Sequence, residues 1–154
     1  MSVFTINDYT SINLATGEAV LADYPANVQT GPFGDLDLFA EAARMIETAG
    51  YEPLDINEAS DARDDLIDPV TGDLSVEVSL QIGDQRITVS YTGDAEKQTY
   101  NYEVQFGTVD ADGQLTIQAF KAVGDTAFDA EGVDDAGAIW LEVALLIGVR
   151  GEQL

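Results

Sequence analysis

LSVEVSLQIGDQRITVSYTG, residues 74–93, decides how this chain is read. Leu74, Val76, Val78, Leu80 and Ile82 alternate with Ser75, Glu77, Ser79 and Gln81, the period of a strand with one face buried and one in water. Gly83-Asp84 follows, with glycine at the first central position of a type II′ turn. Ile87, Val89 and Tyr91 return on the other side. The turn pairs Leu80 with Ile87, Val78 with Val89 and Val76 with Tyr91, all on one face. A one-residue slip would set each of them against a polar residue, so the register specifies itself.

The next stretch repeats the device. TYNYEVQFGTV, 99–109, alternates Tyr100, Tyr102, Val104 and Phe106 with Asn101, Glu103 and Gln105. DADG, 110–113, is a turn, and QLTIQAFKAV returns with Leu115, Ile117 and Ala119 expected inward and Thr116, Gln118 and Phe120 on the other face. Upstream, TGPFGDLDLFAEAARMIETAGYEP reads as a helix. Asp35 is its expected N-cap and Asp37 favours the helix dipole from the first turn. Leu36, Phe39, Ala43 and Ile46 recur at helical spacing. Gly50 supplies a left-handed C′ position, with Tyr51 folding back and Pro53 ending the element.

Nearer the N-terminus, VFTI reads as an edge strand and SINLATGEAVLADY as a short hairpin turning at Thr16-Gly17. Residues 57–68 fit a turn of helix beginning after Asn57 or Ser60 and stopped by Asp68-Pro69, because the residue before proline avoids the helical region.

AIWLEVALLIGV, 138–149, has two readings. As a strand it has one unbroken apolar face, Ile139 to Val149. Its second face holds Ala138, Trp140, Ala144 and Leu146, interrupted by Glu142. As a helix after Asp134-Asp135 it is apolar all round and must be deeply buried. Its isoleucine, valine and alternation favour the strand, whose second face, Trp140, Glu142, Ala144 and Leu146, is then expected to meet another subunit. The expected fold is α+β in a single domain, 1–154: mostly antiparallel sheet, two or three hairpins plus a C-terminal strand, with one amphipathic helix packed on it.

The chemistry of the chain is narrow. With 154 residues it can bury a core without staples. It has no cysteine and no histidine, which excludes thiolate chemistry, zinc–thiolate sites and every Ser-His-Asp triad. Its N-terminus lacks the basic region and apolar core of a signal peptide, and 138–149 is too short to span a bilayer. A virion or cytoplasmic protein without a membrane segment is expected.

The net charge is −23, from 29 acids against six Lys and Arg. Such a surface repels nucleic acid and anionic lipid. Adaptation to high salt, a surface that DNA must pass or that imitates DNA, and a basic partner would each produce it.

TVDADGQLTI, 108–117, fits an EF-hand calcium loop only in part. Asp110, Asp112 and Gly113 match, but Thr108 and Ala119 stand where essential ligands belong, and the turn explains the same residues. Asp61, Asp64 and Asp65 share a helix face, with Asp68 one turn on. A solvated acidic surface is the simpler reading, with Arg63 offsetting its neighbours locally. GPFG, 31–34, redirects the chain before the helix. Tyr100, Tyr102, Phe106 and Phe120 lack the surrounding basic residues of a base-stacking surface and read as packing.

No catalytic, cofactor-binding or metal-binding residue is assigned. The expected function is a non-enzymatic structural or interaction protein whose partners are other protein subunits in a homo- or hetero-assembly, such as a virus or phage particle. An acidic DNA mimic that inhibits a nucleic-acid-processing enzyme is the alternative. A small salt-adapted domain binding a ligand or divalent metal is the third.

Overall fold

A computed structural model describes residues 3–7, 10–14, 19–21, 36–127 and 135–151. At its centre is the hairpin of 74–93. Strand β4 (Leu74–Ile82) and strand β5 (Gln85–Asp94) pair antiparallel in the expected register, Val76 with Tyr91, Val78 with Val89 and Leu80 with Ile87. Gly83 takes φ +60 at the turn, a conformation a side chain would resist. On the outer face Ser79 and Thr88 hydroxyls lie 3.0 Å apart, and the Arg86 guanidinium donates to the Gln81 side-chain oxygen Oε1 at 2.8 Å.

Strand β6 (Thr99–Val109) and strand β7 (Leu115–Ala127) extend the sheet in the order β4-β5-β6-β7. Val76, Leu80, Ile87, Val89, Tyr91, Tyr102, Val104 and Phe106 are buried on the inner face. Tyr91, Tyr100 and Tyr102 stack in a row, with ring centroids 5.7 and 6.4 Å apart.

Helix α1 (Leu36–Ala49) lays Phe39, Ala42, Ala43 and Ile46 into the core. It closes as a Schellman motif: Gly50, at φ +78, donates its N–H to the Glu47 carbonyl, and Tyr51 donates to the Ile46 carbonyl. The expected N-cap Asp35 and the GPFG turn lie outside the described residues, as does the Thr16-Gly17 turn.

Helix α2 (Ile56–Leu66) begins earlier than Asn57 or Ser60. Its N-cap is Asp55, whose carboxylate accepts from the Glu58 N–H at 2.7 Å, while Glu58 accepts from the Asp55 N–H at 3.3 Å. This capping box fixes the start.

Residues 138–149 are helical, not a strand: they belong to helix α3 (Asp135–Gly151). Helix α1 touches β4 and β6 of the four-strand sheet, and α3 covers β4, β5 and β6 beside it. Leucine and alanine, abundant in this run, are strong helix formers. As the second reading requires, the helix is buried nearly all round, through Ile139, Trp140, Val143, Ala144, Leu145, Leu146 and Ile147. It packs on β4, β5 and β6 and against α2. Trp140 meets Phe39 of α1 at 4.7 Å between ring centroids. Gly137 lets the first turn pass the Tyr100 ring, which a Cβ would approach to 2.5 Å.

Strands β1 (Val3–Thr5), β2 (Thr10–Asn13) and β3 (Ala19–Leu21) form a second antiparallel sheet in that order. Phe4, Ile6 and Ile12 join the core of the large sheet and its helices in one connected cluster. The Leu54 N–H donates to the Ile6 carbonyl at 2.8 Å, joining this sheet to the α1–α2 connection. The described fold is therefore α+β, with three helices where one was expected.

Candidate functional site

The residues expected to face a partner do not form an exposed patch. Trp140, Ala144 and Leu146 are fully buried in the chain's own core, and Glu142 is 1 % exposed. In a strand these four side chains would share a face; wound into α3, they point into the sheet and its neighbouring helices.

Glu142 survives in that interior because both its oxygens are occupied. Asn7 donates its side-chain amide to Oε2 at 2.5 Å, and the Arg63 guanidinium meets Oε1 at 2.5 Å. Asn7 in turn accepts the Thr10 N–H at 2.9 Å, so the β1–β2 connection, α2 and α3 meet at one carboxylate. Arg63 thus does not serve its acidic neighbours, as expected from sequence; it reaches across 79 positions to a buried partner. Nearby, burial and then the adjacent Tyr100 push the Tyr91 hydroxyl well above its ordinary pKa, with Arg63 partly opposing them. The cluster ties elements together, and its carboxylate is closed to a substrate.

The acidic stretch is likewise resolved into local structure. Asp61, Asp64 and Asp65 are exposed on α2. Asp68 folds back, accepting the N–H groups of Val70 at 2.8 Å and Thr71 at 3.2 Å. Asp110 closes the β6–β7 turn by accepting from Asp112 at 2.9 Å and Gln114 at 3.0 Å, the work of a turn former. Among the described residues no group of three or more acids is placed to hold a metal ion. No helix among them is long and apolar enough to cross a membrane.

The surface that stands out is one the alternation of 114–123 concealed. Phe106 pairs with Ala119, but Gly107 pairs with Ile117, so Gln118 is an extra residue, a β-bulge. The bulge reverses the parity of β7. Ala119 faces inward opposite Phe106, whereas Ile117 and Leu115, expected inward, stand opposite Gly107 and Val109 on the outer face. Gly107 makes this possible, because a Cβ there would lie 2.0 Å from the Thr116 carbonyl oxygen.

Phe120, opposite Gln105, joins the same outer face and is 66 % exposed, while Ile117 is 47 % exposed. The other three aromatics of that group are packed as expected: Tyr100, Tyr102 and Phe106 are buried. Among the described residues β7 is an edge strand of 13 residues. From Gly113 to Gly124 the sequence contains no carboxylate, the longest such run in a chain with 29 acids. That run was the available sequence signal for this surface, together with Gly107 in the middle of an alternating strand.

Comparison with protein-family models, with curated proteins and with solved structures gave no match, so the reading of this surface rests on its own geometry.

Proposed function

We propose that this chain is a non-catalytic interaction protein, a subunit of a larger assembly, which meets its neighbours through the β7 edge. The observation that carries the reading is Phe120, 66 % exposed on a 13-residue edge strand whose residues from Leu115 to Gly124 include no carboxylate. Sheet edges of free-standing proteins are normally blunted with charge, proline, bulges or a covering element; β7 has the Gln118 bulge and Lys121, yet leaves Ile117 and Phe120 exposed beside them. An apolar strip along such an edge marks an interaction surface. The finer reading is a component of a virus or phage particle, a shell cement, connector or tail part. What supports it is the charge of −23, which keeps a surface from adhering to nucleic acid.

The chain's lysines, Lys97 and Lys121, make a direct test available, since Lys121 lies in β7. Amine-reactive cross-linking in the source material is expected to join Lys121 to another polypeptide. Recovery of Lys121 in intrachain links alone, with the chain migrating as a single unattached species, would contradict the reading.

A further inference from the structure

We infer that the occupant of the β7 edge is β7 of a second copy of this chain, paired antiparallel about a two-fold axis. The inference rests on the reading of the protein as an assembly subunit and names its partner.

Among the described residues the sheet has two edges, β4 and β7. The β4 edge is closed at its start by the chain leading into it: Ile67 bridges Leu74, and the Asp68 N–H donates to the Asp73 carbonyl at 2.7 Å. Along β7 no described strand pairs beyond β6. Its side chains carry no acid between Leu115 and Gly124 and one cation, Lys121. A basic partner would be recognised by clustered carboxylates and a nucleic acid by clustered cations; this strand has one of each, Asp125 and Lys121, and no cluster of either.

A copy of itself is the partner whose charge pattern fits. Two chains of charge −23 repel as whole molecules, so close approach needs contact faces with the carboxylates left out. Paired strands lie about 4.8 Å apart, where acid facing acid is strongly disfavoured. The acid-free run of this acidic chain coincides with the edge that would make such a contact.

A strand paired antiparallel with its own copy is self-complementary, the requirement of a two-fold interface. With Phe120 opposite its copy, Lys121 falls opposite Ala119, so the two lysines are not brought face to face. The phenyl rings then cover each other across the axis, a favoured cross-strand pair. The two sheets of four strands become one continuous sheet.

The test is sedimentation equilibrium of the full chain, as wild type, Phe120→Asp and Phe120→Lys, from low salt to about 1 M NaCl, where screening shortens to about 3 Å. The exposure of Phe120 leaves the fold of both variants intact, to be checked by circular dichroism. The wild type is expected to dimerise more tightly as salt rises. Each variant alone is expected to weaken dimerisation at low salt by more than about tenfold, since like charges then meet at the axis. Mixing the two variants is expected to restore a dimer containing one of each. A monomeric wild type at every salt concentration overturns the inference, as does a dimer indifferent to both substitutions. If a monomeric wild type accompanies Lys121 cross-links to a different polypeptide in the source material, the homotypic pairing falls while the assembly reading stands.

Discussion

Arg63 of α2 and Glu142 of α3 stand 79 positions apart in sequence and meet at 2.5 Å around a carboxylate that is 1 % exposed. Asn7 closes the remaining oxygen from the β1–β2 connection. Three segments distant in sequence are therefore registered by one buried carboxyl group. Breaking such a pair leaves a buried charge without its counterion, whereas replacing both partners with apolar groups removes the need for either. Arg63→Ala is expected to cost about 2–4 kcal/mol, toward the low side for a buried pair because the Arg63 side chain remains 36 % exposed. Arg63→Met combined with Glu142→Leu is expected to recover most of that loss. Urea melts of the single and double variants measure the coupling; additive effects would show that the pair does not act as a unit.

Gly107 holds the bulge that turns Ile117 outward. Adding a single methyl at this position sets a Cβ 2.0 Å from the backbone oxygen of Thr116, and backbone cannot swing aside as a flexible side chain would. Gly107→Ala is expected to destabilise by about 1–3 kcal/mol or more, the range for overpacking, and to shift β6–β7 amide resonances more than those of β4–β5. A variant as stable as wild type with unmoved resonances would show that the bulge is not fixed by this contact.

Tyr91 links stability to alkaline pH. Burial holds its phenol in the neutral form, so its pKa in the folded chain lies above the ordinary 10.0. Its contribution to stability is therefore fully present below about pH 10, the unfolded value, and is lost as pH rises toward the folded value. Tyr91→Phe is expected to leave stability near neutrality almost unchanged and to move the alkaline unfolding midpoint upward. In the wild type, part of the tyrosinate absorbance is expected to appear together with unfolding. Complete tyrosine ionisation with circular dichroism still native would contradict this.

The carboxylates of Asp61, Asp64 and Asp65 are exposed on α2 of a chain with charge −23. Their joint replacement by Asn is expected to raise the melting temperature by a few degrees at low salt and by little at high salt, as self-repulsion is relieved and then screened. Thermal melts across a KCl series read the difference. A loss of stability at all salt concentrations would assign these acids a structural or metal-binding role.

The hairpin of 74–93 was legible residue by residue because its pattern and turn agree on one register. Leu80, Val78 and Val76 find the partners that the Gly83-Asp84 turn dictates. The helix ending at Gly50 was equally clear, since glycine, Tyr51 and Pro53 punctuate it together. Residues 138–149 were not decided by their pattern, because an apolar run satisfies a covered strand and a buried helix alike. The helix is selected by its packing on β4, β5 and β6. Asp55 and Glu58, three apart, did mark the true start of α2, but Asn57 and Ser60 are also capping residue types and masked it.

The candidate surface was hidden for a different reason. Alternation propagates along a strand until a bulge reverses it, and Gln118 reverses it beside Ile117. The pairing of Arg63 with Glu142 could not be read from either residue alone: Arg63 sits among acids that do not need it, and Glu142 looked like an interruption of an apolar face.

Amide hydrogen exchange along residues 115–127, compared between the chain in its assembly and the chain dispersed, tests the central claim most directly. If the β7 edge is the contact surface, β7 amides are expected to exchange at least about tenfold more slowly in the assembly, with β4 and β5 unchanged. Equal β7 exchange in both states, with protection appearing elsewhere, would contradict it.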